Sequence, residues 1–272
     1  MSSDSPRAGA PGSLAGKRIL IAGASTRRSI GYAVASDAQA AGAEVVLTSF
    51  GRMRAVTERS ARALSEPVDV LELDVTDEGD LERAAGRVLE RWSGLDGVVH
   101  AVAHAPAEAM SGELGATPAA SACETFRTSA VSLVRLAAAM RGPMRESGRA
   151  SLVSLSFESS VAWPSYDWMG VSKAALEAAS RYLARDLGGD GVRVNCVSAG
   201  PVLTVAASRI PAFAEIADAY ALRAPLGWDR TDARPVAGAV CFLLSDWSRG
   251  MTGQTLHVDG GFRSIGLAPR EA

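Results

Sequence analysis

Lysine is almost missing from this chain: among 272 residues there are 26 arginines but only Lys17 and Lys173. A basic surface built on arginine alone gives no reason for a lysine at position 173, so that residue is a candidate for a specific task. Cysteine is scarce as well. Cys123, Cys196 and Cys241 are odd in number, widely spaced and set among apolar residues, with no CxxC pair and no Cys/His cluster. This excludes a disulfide framework and offers no metal ligand set; the three read as reduced core residues of a cytosolic protein. Charge of one sign is also lacking. A formal net charge of -2, without any long block of like charge, leaves no electrostatic footprint for DNA, RNA or an anionic membrane. No apolar run approaches the ~18 residues a membrane span needs. The opening MSSDSPRAGAPGS has no apolar stretch of the signal-peptide kind. These absences describe a soluble cytoplasmic chain with a short disordered leader over residues 1–13, one domain over 14–264 and a tail over 265–272.

What is present is an alternation. GKRILIAGAS reads as a buried strand running into a glycine turn, and SIGYAVASDAQAAG as a helix ending at Gly42. EVVLTSF is a second strand, 52–64 an Arg-rich helix and VDVLELDV a third strand. A helix over 78–92, the strand DGVVHAVA, an Ala-rich helix around 130–140 and the strand SLVSLSF follow. The chain then gives a helix opening near Tyr166, the strand VRVNCVS, the helix PVAGAVCFLLSD and the strand QTLHVDGG. Seven strands with intervening helices predict a single doubly wound α/β domain of the Rossmann type, its seven-stranded parallel sheet covered by helices on both faces.

In such a sheet ligands bind beyond the carboxyl ends of the strands, where the unusual residues of this sequence collect. The first turn, Gly23 to Gly31, can aim backbone N–H groups and a helix N-terminus at a pyrophosphate, although it is not a simple GxGxxG and an ordinary tight βα connection would look similar. Asp74 and Val75 close the third strand, where a carboxylate can accept from an adenine amino group; the competing role is a helix N-cap at Asp74 or Thr76. Tyr166 and Lys173 are seven residues apart, two turns of one helix, so a phenol and an ammonium share a face and the cation can favour phenolate character.

The order of these features resembles a known family. A long SIG-type first turn, the Asp74-Val75 pair, Y-x6-K, Ser198-Ala199-Gly200-Pro201 and a terminal HVDGG are similar to the divergent short-chain dehydrogenases, specifically the NAD-dependent enoyl-acyl carrier protein reductases. GKRIL, LTSFGRMR, LELDV, AGRV, LDGVVH, YDWM, APLGW and LLSDW resemble the mycobacterial, isoniazid-target branch, over about residues 14–264. The resemblance implies Gly23, Ser29 and Ile30 at the pyrophosphate, Phe50 stacked on adenine, Asp74 and Val75 at the adenine edge and Lys173 on the ribose hydroxyls. Ala103 would lie against the nicotinamide, and Gly200 and Thr204 near the pyrophosphate or nicotinamide end. No acid ends the second strand; Arg52 and Arg54 keep NADPH open, but the same aromatic-then-Arg pattern accompanies NADH in the branch, and NADH is the expected cofactor.

The implied reaction is reduction of a trans-2-enoyl thioester, on acyl carrier protein or CoA, in fatty-acid or polyketide-type biosynthesis by a homotetramer. Tyr166 would donate to the enolate oxygen, Lys173 would lower the cost of phenolate character, and Phe157 would stand where carbonyl reductases need a serine hydroxyl. His104, Phe157, Met169, Phe213, Ile216 and Tyr220 are the expected substrate pocket, with residues 205–222 as its lid. Phe213, Ile216, Ala217 and Tyr220 also fall at the helical spacing of plain core packing. Two features depart from the family. His100-Ala101-Val102-Ala103-His104 replaces H-S-I-G-F, and the lid is shorter than in the long-chain enzymes, which suggests a shorter acyl chain. Two other readings stay open: a carbonyl or alcohol dehydrogenase using Ser154 or Ser156, and a dinucleotide-binding sensor without turnover.

Overall fold

Strands covered on both faces can be buried throughout, and the central strands of this chain nearly are. β1 (Arg18–Ala22) carries RILIA, β4 (Gly97–His100) GVVH and β5 (Ser151–Ser156) SLVSLS, with nearly every position buried. A computed structural model describes residues 13–266, so the expected leader and most of the tail lie outside the described residues. The remaining elements are α1 (Ile30–Ala40), β2 (Glu44–Ser49), α2 (Arg54–Ala61), β3 (Val70–Glu72) and α3 (Glu78–Arg91). They continue with α4 (Ala119–Phe126), α5 (Ser132–Ser147), α6 (Asp167–Leu187), β6 (Arg193–Ala199), α7 (Phe213–Arg223), α8 (Arg234–Leu244) and β7 (Thr255–Val258).

All seven strands are parallel, in the order β3-β2-β1-β4-β5-β6-β7. Successive residues on each strand enter opposite layers. Leu20, Val46, Val98, Leu152 and Val194 pack with Leu81, Leu133 and Leu176 of α3, α5 and α6. Ile19, Ile21, Val45, Val99, Val153 and Val197 pack with Val34 of α1 and Val240 of α8. The strand order reverses between β1 and β4, so the loops leaving those two strands part and open a cleft.

Three elements differ from the sequence expectation. β3 pairs only over Val70–Glu72, because the chain turns away at Asp74: its Oδ1 accepts from Thr76 N–H at 2.8 Å and from the Thr76 hydroxyl at 2.7 Å. The Ala-rich helix is longer and composite, with α4, a wider π-helical turn over Arg127–Val131, and α5 running through Pro143 to a left-handed Gly148. β4 stops at His100 instead of reaching Ala103, and the four residues after it enter the cleft wall. No helix among the described residues is long and apolar enough to cross a membrane.

Candidate active site

The cleft is a cavity of about 470 Å³ at the carboxyl ends of β1, β2, β4, β5 and β6. Its floor is possible because Gly23 has no side chain. At φ +101°, a Cβ there would lie 2.2 Å from the carbonyl oxygen of Ala101, where the loops after β1 and β4 cross. Ser29 and Ile30 follow on the same wall. The Ser29 hydroxyl is already engaged, donating to Thr26 O at 2.7 Å and accepting from Tyr32 N–H at 3.3 Å as the N-cap of α1. What this turn offers an anion is the helix N-terminus, not that hydroxyl.

Phe50 follows β2 with its ring 48% exposed on the cavity wall, a shelf of the size a flat heterocycle covers. Val75 lies beside it with Leu73, whereas Asp74 is off the wall, its carboxylate turned to Thr76. Thr76 thus engages one of the two oxygens of the Asp74 carboxylate, Oδ1. Ala101 and Ala103 line the opposite side. Gly200 is forced by packing, since a Cβ would come 2.5 Å from Cε2 of Trp228, whose indole N–H donates to Pro201 O at 2.9 Å. Thr204 also lines the cavity, and its Oγ1 accepts from Ala207 N–H at 3.0 Å, closing the turn that follows. The glycine cradle, the aromatic shelf and the helix N-terminus fit a dinucleotide.

At the other end of the cavity Tyr166 is 6% exposed, and among the described residues its hydroxyl has no hydrogen-bond partner. Burial pushes its pKa well above the usual value, so the phenol is a neutral donor. Its backbone is held at a bend. Ser165 has φ 50° and Asp167 φ 31°, both in the left-handed region, and the Asp167 carboxylate accepts from Gly112 N–H at 2.7 Å. Lys173 is also buried, and its Nζ donates to Leu155 O at 2.8 Å. That bond uses one of three ammonium protons and sets the head group at the cavity wall. Burial lowers the Lys173 pKa to about 8. Burial is what raises the Tyr166 phenol, and the Lys173 ammonium is directed to the Leu155 carbonyl of β5.

Phe157 meets Tyr166 edge to face, with ring centroids 5.3 Å apart. Met169, Phe213 and Ile216 complete an apolar wall, with His104 at its edge. His104 is half-exposed; its Nε2 is 3.4 Å from a Glu124 oxygen, and the Ser129 hydroxyl bridges its backbone N–H and C=O at 3.1 Å each. Tyr220 does not reach the cavity. It is fully buried behind Phe157, stacked on Phe262 with centroids 3.9 Å apart. Of the helically spaced residues of α7, Phe213 and Ile216 face the cavity and Tyr220 faces the core. Sequence reasoning missed Trp163, which packs on Phe157 at 5.3 Å and Tyr220 at 5.7 Å, and also Ile210 and Met110 on the wall. Only the position of Trp163, three residues before Tyr166, hinted at its place.

The two serines a carbonyl reductase would need are occupied. Ser154 is fully buried against the Ser180 hydroxyl at 3.2 Å, and the Ser156 hydroxyl donates to Glu177 at 2.7 Å. His100 is likewise structural: its Nε2 is 2.8 Å from the Ser132 hydroxyl, and burial lowers its pKa to about 3, so it is neutral. Among the described residues no group of three or more His, Cys, Asp or Glu is placed to hold a metal ion.

A dinucleotide-sized cleft at a sheet's switch point, ending on a buried phenol and ammonium, defines an oxidoreductase of the short-chain dehydrogenase class. A family model described as enoyl-(acyl carrier protein) reductase matches residues 23–263, and the chain belongs to that family. The NADH-dependent enoyl-acyl-carrier-protein reductase of Mycolicibacterium smegmatis is 39% identical over 264 residues, 92% of this chain and 97% of that protein. Its counterpart in Mycobacterium avium is also 39% identical, over 92% of this chain and 97% of its own length. The protein of the same name from Neisseria meningitidis is 38% identical over 92% of this chain and 96% of its own.

Proposed function

We propose that this protein reduces the 2,3-double bond of a trans-2-enoyl thioester on acyl carrier protein, with NADH as reductant, in fatty-acid biosynthesis. The observation that carries this reading is the Phe157–Tyr166 contact, an apolar ring where ketone reduction needs a hydroxyl, with Ser154 and Ser156 both spent. The membership of the enoyl reductase family and the NADH in its relatives' names support it. Bound NADH supplies the hydride. The chain supplies the rest: the turn from Gly23 to Ile30 receives the pyrophosphate, the free protons of Lys173 hold ribose hydroxyls, and Phe50 carries the adenine.

Reduction at the β-carbon would place negative charge on the thioester oxygen, where the Tyr166 hydroxyl, unpartnered and protonated, would donate a hydrogen bond, and a solvent proton taken up at the α-carbon would complete the saturated thioester. Phe157, Met169 and Ile216 keep water from that oxygen and so strengthen the one donor. The acyl chain leaves the reacting end past Phe213 and Ile216, under a lid over residues 205–222. The proposal includes a homotetramer acting in the cytoplasm and a carrier that CoA can replace in the assay.

Loss of nicotinamide absorbance on mixing with a medium-chain trans-2-enoyl thioester, run with NADH and with NADPH and repeated with Tyr166→Phe, tests this reading. Rapid oxidation of NADH that weakens in the variant is expected. NADH binding without oxidation, or faster turnover of a ketone than of the enoyl thioester, would overturn it.

A further inference from the structure

The end of β2 carries no acid to repel a 2′-phosphate, and two arginines follow it, yet NADH is the expected cofactor. The register of the sheet supplies what the strand lacks. Ser49 of β2 is opposite Glu72 of β3, so Glu72 projects beside the turn that begins at Phe50. Its Oε1 accepts from Gly51 N–H at 3.0 Å, and its Oε2 accepts from the Arg54 guanidinium at 2.8 Å. Glu58, one turn further along α2, takes the Nε of the same arginine at 3.0 Å. Arg54 thus has a carboxylate on each side, and together with Glu58 it lines a groove at the edge of the sheet instead of the nucleotide cavity. Phe50 and Met53, on the same turn, do line the cavity.

We propose that Glu72, assisted by Glu58, sets the preference for NADH over NADPH by holding Arg54 neutralised and turned away from the adenosine ribose. The inference rests on the nucleotide occupying the cavity as described above. Arg52, Arg54, Glu58 and Glu72 together carry no net charge. A 2′-phosphate, bringing about 1.5 to 2 negative charges, would find two carboxylates beside the arginines that follow β2. With both glutamates made neutral, the same patch carries two positive charges and Arg54 is free to turn towards the ribose as a phosphate fork. Glu72 would thus act as the specificity acid that other dinucleotide folds place at the end of their second strand, supplied here from the neighbouring strand.

The side chains of Arg54, Glu58 and Glu72 are 40–46% exposed, so solvent screens each charge and the effect per carboxylate is modest. The test is direct titration of binding by the fluorescence of the reduced nicotinamide, with NADH and NADPH separately. The proteins are wild type, Glu72→Gln, Glu58→Gln/Glu72→Gln, and the double variant with Arg54→Gln added. Glutamine keeps the oxygen that accepts from Gly51 N–H, so the turn is preserved. The ratio of the NADPH to the NADH dissociation constant should fall by about three- to tenfold in Glu72→Gln and further in the double variant. Adding Arg54→Gln should abolish most of that gain, and raising the salt concentration should shrink it. An unchanged ratio in the double variant, or a gain that survives loss of Arg54, would overturn the proposal. NADH binding to wild type without turnover of any enoyl thioester would fall instead on the functional reading, and the ratio would still be measured.

Discussion

The ring of Phe157 stands edge to face against Tyr166, at 69° and 5.3 Å between centroids, so the phenol proposed to serve the reaction is held by an apolar neighbour and not by a base. The hydroxyl is therefore a protonated donor throughout the working pH range. Tyr166→Phe keeps the ring contact and removes only that donor. Its kcat should fall roughly 100-fold, the lower end for loss of one oxyanion donor, with NADH binding little affected. Steady-state kinetics and nucleotide titration check this; an equal loss of NADH affinity would place the hydroxyl on the cofactor instead.

Lys173 links pH to binding. Its ammonium, lowered by burial to about 8, loses its charge as pH rises through that value, and the dissociation constant for NADH should rise with it. Stability of the nucleotide-free protein runs the other way. Between about pH 8 and 10.5 the unfolded chain binds the Lys173 proton and the folded chain does not, so this residue makes stability increase with pH across that window. Titrations of NADH at steps from pH 6.5 to 9.5, beside denaturant unfolding at the same steps, should show the two opposite slopes. A flat binding profile to pH 9.5 would remove the ammonium from cofactor binding.

Two glycines should respond to alanine with opposite signs. Gly23 combines φ +101° with a Cβ position 2.2 Å from Ala101 O, and Gly23→Ala should cost about 2–4 kcal/mol and most nucleotide binding. Gly86 lies exposed inside α3 with nothing within 4 Å of its Cβ position, and Gly86→Ala should stabilise by about 0.5–1 kcal/mol. Thermal unfolding of both variants decides the matter; a neutral Gly23→Ala would mean that the crossing loops can move apart.

The lid should meter acyl length through Phe213 and Ile216, which face the cavity from α7. Ile216→Ala removes a wall at the cost of roughly 2–4 kcal/mol of stability. It should raise kcat/KM for a hexadecenoyl thioester relative to an octenoyl one by about five- to tenfold. Tyr220→Phe, behind the wall, should leave that ratio alone. A ratio moved equally by both would show that the lid acts through its packing and not through the faces it presents.

The parallel sheet was legible because its central strands are short, largely apolar runs and helical patterns follow them in turn. The glycine turn, Phe50, Phe157, Tyr166 and Lys173 were legible as positions. Their orientations were not. Whether Asp74 faces the ligand depends on a turn closed by Thr76, and whether Ser29 has a hydroxyl to offer depends on Thr26 O. Tyr220 fits either the cavity or the core on helical spacing, and the direction of α7 decided for the core. The Arg54–Glu72 pair was hidden because it depends on the alignment of two strands, and charges 18 residues apart show nothing of that. The bend at Ser165 and Asp167 carries no glycine to announce it.

Phe262, on the final turn of the described chain, is stacked on Tyr220 of the lid helix, and Arg223 covers its other surroundings with a guanidinium 4.4 Å from the ring and a bond to Ile265 O at 3.0 Å. β1 runs towards the cavity, so Leu14, tied to Ala41 O at 2.9 Å ahead of that strand, lies at the opposite pole. The two ends of the described segment thus have unequal surroundings: Leu14 lies at the rear of the sheet, whereas Ile265 adjoins the Phe262–Tyr220 stack that braces α7 beside the cavity.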